Sequence, residues 1–365
     1  LAAAVTSDVD VPGFDRATMD GYAVVASSTE GAGPYNRIPL AVTGDAMPGV
    51  LLDAAITRGF AARIMTGAPM PPGADAVLPA ELAEVDPGSG RVWAVAEVSP
   101  AKNVGVRGED VACGVTVLAA GRVLRPQDVG VLSSIGCDRV PVVRRPRIRL
   151  VVTGNELLPA GSRPQPFRVT DANGPMLAAL AARDGGVVTF PGLTPDDAGS
   201  ILEALQAEAD VIVVSGGSSV GVEDLAPSLL AAHGELAVHG IAMRPSSPTG
   251  LGRLDHRLVF LLPGNPVSAL CAYDFFAGRA IRALGGRSRD WPYRLVTGTL
   301  VRKISSAIGR LDYARVRIED GRVTPLSVSG ASVLSSTTRA DGFVVVPDDS
   351  EGFAAGADVN VWLYA

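Results

Sequence analysis

The chain has 365 residues, a formal net charge of -6, and 47% hydrophobic against 19% charged residues. That balance marks a folded, core-forming protein of roughly two to four domains and excludes a disordered one. There is no basic block, which excludes nucleic acid as a partner, and no apolar run approaches the ~20 residues of a membrane span.

No signal peptide is visible, so the expected location is cytoplasmic. The chain opens at Leu1 without a methionine, which points to a missing piece of the natural N-terminus. Lys102 and Lys303 are the only lysines. Any anion anchor is therefore arginine, backbone N–H or metal. Cys113, Cys137 and Cys271 lie far apart without a CxxC, as expected of free thiols in a reducing compartment. His233, His239 and His256 have no zinc-site spacing.

Thr6 to Val11 read as an extended edge segment, broken by Pro12-Gly13. Asp15, Arg16, Thr18 and Asp20 then cluster before an apolar stretch. They form either a site loop or a solvated turn, and polarity alone favours the turn. Residues 21–103 alternate short apolar runs with Gly/Pro turns, the pattern of a small β-sandwich or barrel. Within them Thr66 either offers a hydroxyl to a ligand or caps the turn it begins. Residues 104–142 place Arg107, Glu109 and Asp110 around a glycine. An amphipathic helix starts at Pro126 and stops at Gly136, and a short strand is expected at Val140 to Val143. This block is expected to pack with the chain start. The result is an elongated domain of residues 1–20 and 104–142, interrupted by a β-rich insert at 21–103.

From 143 to 290 the pattern changes to strand–helix alternation, which implies a parallel sheet covered on both faces. Asn173, Thr194 and Asn265 are the expected helix caps. Ligands of such sheets sit at the carboxyl ends of the strands. Those ends read TGNE, PGLTPDD, SGGSSVG and PGNP. The third, after the strand Val211 to Ser215, turns through Gly216, Gly217, Ser218, Ser219 and Gly221, and a helix follows. Such a turn lets backbone N–H groups approach an anion. Alone it is a weak signal, since a plain strand–loop–helix connection looks the same. Glu156, Asp171, Asp196, Asp197 and Asp224 fall at the same edge. Each is singly explained as a cap, but together, beside a glycine-rich loop, they suggest Mg²⁺ and phosphate. Residues 291–365 return to β patterning and read as a small separate β-domain.

MDGYAV, TGAPMPPGADAV, RGED, TGNEL, SGGSSVG and LPGNPVSA, in this order, resemble the MoeA/gephyrin-E family of molybdopterin molybdenumtransferases. The resemblance covers nearly the whole chain. It implies a multidomain α/β plus β fold: a MogA-like doubly wound α/β domain, the β-rich insert and a C-terminal β-barrel. It also implies a homodimer whose cleft is shared between subunits. The implied reaction inserts molybdate into adenylylated molybdopterin and releases AMP with Mg²⁺ assistance. By motif, Asp20, Thr66, Asp110 and Glu156 are the implied catalytic residues, and Glu156, Asp196 and Asp224 the metal ligands. The implied binding set is the 216–221 loop with Asp171, Arg244, Ser247, Pro263, Asn265, Arg315 and Ser335. The chain departs from the family in two places. Asn155 stands for an aspartate in TGNEL. The family's K-P-G-K-P reads Arg244-Pro245-Ser246-Ser247-Pro248, and a lost cation at an anion pocket costs about 1.5–3 kcal/mol per charge-assisted hydrogen bond. That loss leaves open a diverged binding, sensing or delivery protein. A generic phosphoryl enzyme is the remaining, poorer reading.

Overall fold

A computed structural model describes residues 1–216, 225–327 and 330–364. The chain divides into two compact units, Leu1–Val142 and Val143–Ala365.

In the first unit a six-stranded sheet runs in the order Ala76–Pro79, Gly21–Val24, Phe60–Ile64, Ile38–Ala46, Arg91–Ala94, Ala83–Asp86. Side chains alternate between its faces, as strand geometry requires. Tyr22, Val24, Leu40, Leu78 and Val92 pack on one side, and Ala23, Ala62, Ile64 and Val77 in a separate core. A Cβ on Gly21 would lie 2.0 Å from the Leu78 carbonyl oxygen, so only glycine lets these strands close. The chain start runs beside residues 104–118. Val5–Thr6 pairs with Thr116–Leu118, Val11 bridges Val111, and Arg16–Ala17 pairs with Val104–Gly105.

Helix Pro126–Ser134 forms as expected, and Gly136 beyond it takes φ +76°. Its apolar stripe is shorter than the sequence suggests. Leu132 and the following Ile135 join Leu1, Val111 and Leu118, whereas Val129 is 56% exposed. Residues 140–143 form no strand. Pro141 has no N–H to give a ladder, and the backbone link there is Ala2 N–H donating to the Pro141 oxygen at 2.8 Å.

In the second unit one sheet runs Val187–Thr189, Arg147–Thr153, Val211–Ser215, Arg257–Leu262, Gly250–Leu254, Glu235–His239. Leu193–Thr194 also pairs with the end of Arg147–Thr153. The first four strands are parallel. The last two, which the sequence reading did not mark, pair antiparallel and extend the expected parallel sheet. The turn between Gly250–Leu254 and Arg257–Leu262 has Asp255 at φ +52°. Its sequence, Leu-Asp-His-Arg, has no glycine to signal a hairpin. Val211–Ser215 is buried along its whole length. Ile148, Leu150, Val211 and Val213 pack under helices Asn173–Arg183 and Pro266–Ala272. Val151, Ile212 and Val214 pack under Ala198–Gln206 and Leu225–His233. At about 1.5–3 kcal/mol per fully buried aliphatic side chain, these two cores hold the sheet.

Two expected caps are replaced by neighbours. Asp197, not Thr194, accepts the Ser200 N–H at 2.9 Å, because Thr194 is committed to the sheet. Asp171, not Asn173, accepts the Gly174 N–H at 2.9 Å. Asn265 precedes Pro266 as the N-cap residue but makes no side-chain cap bond. The expected C-terminal barrel is present. Arg294–Leu300, Leu311–Glu319, Arg322–Ser327, Gly342–Val346 and Asp358–Leu363 close on one another as a ring of five strands.

A buried polar cluster joins helix and barrel. Asp274 sits in a π-helical turn, Tyr273–Ala277, and is fully buried. Its carboxylate accepts from Tyr293 Oη at 3.0 Å and Arg183 Nη2 at 3.3 Å, and its carbonyl accepts from Trp291 Nε1 at 2.8 Å. Burial pushes its pKa up to about 6 against the opposing pull of Arg183 and Tyr293. A carboxyl with a folded value near 6 and an ordinary value of 3.8 binds its proton more tightly when folded. Its contribution is therefore full below about pH 4 and lost as pH rises through 6. The unfolding free energy of the wild type relative to Asp274→Asn should fall by on the order of 3 kcal/mol between pH 4 and pH 7. Denaturant titrations at both pH values measure this, and a pH-independent gap contradicts it.

Candidate functional site

The parallel strands of the second unit deliver Thr153, Ser215 and the Pro263-Gly264 turn to one edge of the sheet. Gly216 leaves the central strand at φ +95°, where an added Cβ would lie 2.1 Å from the Thr153 carbonyl oxygen. Any side chain there is excluded by both sterics and backbone conformation. The space above is a cleft of about 600 Å³ that contains Glu156, Asp171, Asn173, Asp196, Gly216 and Asn265 among its walls.

Its polar groups are held by specific bonds. Asn173 Nδ2 donates to Ser215 Oγ and to the Gly264 carbonyl, both at 2.8 Å. Thr153 Oγ1 donates to Asp196 Oδ1 at 2.9 Å. Asp171 uses one oxygen on Gly174 N–H. Its other oxygen, Oδ2, and Asn173 Oδ1 are buried and have no hydrogen-bond partner among the described residues. A buried acceptor left without a donor is costly, and Asp171 Oδ2 packs at the start of the helix, against Gly174.

A second cleft, of about 480 Å³, shares Asn265 with the first. Arg244, Ser246, Ser247, Pro263, Ser268 and Arg310 line it. Ser246 has φ +99°, a left-handed conformation that favours glycine, and its Oγ donates to the Ser268 carbonyl at 2.7 Å. Arg244 is not free to meet a ligand with its full charge, because it is ion-paired with the fully buried Asp312. Arg310 Nε donates to the same carboxylate at 3.0 Å. Two guanidinium groups against one carboxylate leave this cleft one net positive charge.

In the first unit a cleft of about 660 Å³ is lined by Asp20, Asp45, Arg63, Asp86 and Arg91 among others. Asp20 and Thr66 meet although 46 residues apart. Asp20 Oδ1 accepts the Thr66 N–H at 2.7 Å and its hydroxyl at 2.8 Å. These two bonds, more than the nearby Arg63, hold the carboxyl below its ordinary value. Asp20 therefore stays ionised at neutral pH.

Not every expected residue joins these clefts. Asp110 is exposed and lines none of the three, while its neighbours pair elsewhere, Arg107 with Asp10 and Glu109 with Arg16. Arg315 is fully buried in the barrel. Ser335 begins a short helix; Ala331 and Ser332, a few residues earlier, line the clefts instead. Gly217, Ser218, Ser219, Gly221 and Asp224 lie outside the described residues. Among the described residues no group of three or more His, Cys, Asp or Glu is arranged to hold a metal. Sequence reasoning missed Thr153, Ser215 and Arg310 as site residues. Their signal was positional: two sit at the ends of apolar runs, and the third stands two residues before the buried Asp312.

The sequence matches the MoeA N-terminal region (domain I and II) over residues 1–136. It matches the probable molybdopterin binding domain over 149–283 and the MoeA C-terminal region (domain IV) over 297–364. It is 33% identical over 375 residues to molybdopterin molybdenumtransferase 2 of Mycobacterium tuberculosis, covering 99% of this chain and 91% of that one. It is 31% identical to a putative molybdopterin biosynthesis protein of Methanocaldococcus jannaschii, covering 98% and 88%. A crystal structure of the molybdopterin biosynthesis MoeA protein of Pyrococcus horikoshii superposes with a TM-score of 0.87 at 33% identity, over 100% of this chain and 91% of that one. The chain belongs to the MoeA family, the transferases of molybdenum cofactor biosynthesis.

Proposed function

We propose that this protein inserts molybdate into adenylylated molybdopterin and releases AMP. The observation that carries this reading is the pair of adjoining clefts, one rich in carboxylates and one net positive, that share Asn265. A substrate with pterin, phosphate and oxyanion parts needs both polarities side by side. In this reading Asp171 and Asn173 meet the pterin. Arg310, Arg244, Ser246 and Ser247 take the molybdate. The phosphates lie toward Gly216. Asp20, kept ionised by Thr66, belongs to the catalytic set.

Glu156 and Asp196 are the residues of this cleft that would hold Mg²⁺, and Asp224, the third expected ligand, lies outside the described residues. Two carboxylates in one cleft, with room for phosphate oxygens and water, suit an ion that rarely takes an all-protein cage. When bound, it neutralises charge on the phosphate link. We also assign four domains with the boundaries given above, a homodimer with the cleft shared between subunits, and a cytoplasmic setting in which the free thiols stay reduced.

Ser247, in place of a lysine, favours a second reading: a protein that binds the cofactor for sensing or delivery without transfer. Purified protein with adenylylated molybdopterin, Mg²⁺ and molybdate distinguishes the two by AMP release. Transfer predicts AMP release that drops by about 100-fold or more in Asp20→Asn and Glu156→Gln. Tight pterin binding without AMP would refute it. Calorimetric titration with molybdate tests the charge account. Arg310→Ala should weaken binding by roughly 10- to 100-fold, the effect of one charge-assisted hydrogen bond. Ser247→Lys should strengthen it, and no response to either change would contradict the assignment.

A further inference from the structure

The hairpin that borders the carboxylate cleft carries an unusual residue at its tip. Gln165, Pro166, Phe167 and Arg168 form a tight turn, with the Arg168 N–H on the Gln165 carbonyl at 3.1 Å. Phe167 holds the third position at φ +64°. A turn with proline second and positive φ third takes Gly or Asn there, because a Cβ is strained in that conformation. Phe167 is also fully exposed, at 101%. Strain and an apolar ring in water are both unfavourable, and no contact among the described residues offsets them.

The hairpin is firmly tied to the cleft. Val169 N–H donates to the Glu156 carbonyl at 3.0 Å and Asp171 N–H to the Leu158 carbonyl at 2.9 Å. Arg168 Nη2 donates to the Leu157 carbonyl at 2.8 Å, and Thr170 Oγ1 to the Ser162 carbonyl at 2.9 Å. Leu157, Val169, Thr170 and Asp171 all line the cleft. Phe167 is two residues from Val169, at most about 7 Å of backbone. Behind the hairpin the cleft is walled by the polar residues Asp171, Asn173 and Asp196, which in the reading above take a fused heteroaromatic ring. The face of such a ring is what an exposed aromatic side chain stacks on.

We propose that Phe167 is a substrate-binding residue whose ring closes over the face of the pterin held by Asp171 and Asn173. This rests on the pterin reading of the cleft. The backbone strain at Phe167 is then retained because a rigidly presented ring loses little freedom on binding.

The test is a fluorescence titration of the purified full chain with pterin-6-carboxylate, together with thermal unfolding. Phe167→Asn and Phe167→Ala should weaken binding by about tenfold, while Phe167→Tyr stays near wild type. Phe167→Asn should not lower Tm and should raise it by about 2 °C, since Asn tolerates the left-handed turn. In Phe167→Trp the new indole should be quenched when pterin is added. Wild-type affinity in Phe167→Asn overturns the proposal. So does intact pterin affinity with weakened self-association on light-scattering chromatography, which would make the ring a contact for a second copy. If the wild type binds no pterin, the reading of the cleft fails with it. If only the Phe167 variants behave like wild type, that reading stands and the ring assignment alone falls.

Discussion

One buried carboxamide decides the shape of the carboxylate cleft. Asn173 begins its helix, and its Nδ2 reaches both Ser215 at the end of the central strand and the Gly264 carbonyl beyond the next strand. A buried amide is tolerated only when its donors are used. The three elements must therefore arrive together for the sheet edge to be stable. Gly216 permits this, since any side chain would collide with the Thr153 carbonyl. Thr153 in turn orients Asp196. The site is thus a consequence of how the parallel strands end.

Polarity separates the two clefts of the second unit. The first is bounded by carboxylates, and Asn265 connects it to a second in which Asp312 is shared between Arg244 and Arg310. Burying one carboxylate between two arginines fixes both side chains and leaves a single positive charge. A lysine in place of Ser247 would have added a mobile point charge. The observed arrangement is a rigid one, built from planar groups that favour bidentate contact with an oxyanion.

Much of this was legible in the sequence where one physical rule dominated. Val211–Ser215 is a run of apolar residues, and a strand buried on both faces permits little else. The barrel strands followed from alternation and turn residues. Asp20 and Thr66 were marked by motif alone, and their direct hydrogen bonds were not derivable from spacing. The failures share a cause: neighbours competing for one role. Thr194 looked like a cap but pairs in the sheet, so Asp197 caps instead. Asn173 also looked like a cap, but tertiary bonds claim its side chain and Asp171 caps in its place. Arg310 was invisible because its importance comes from Asp312, a carboxylate that only the folded barrel brings beneath Arg244. Phe167 was invisible because its significance is a backbone angle.

The claim on which the account rests is that the cleft at the ends of the parallel strands receives the pterin. A crystal structure of the protein soaked with adenylylated molybdopterin tests it most directly. The account predicts ligand density against Asp171 and Asn173, with the phosphates toward Gly216. Well-ordered ligand elsewhere, with those two residues untouched, would contradict it.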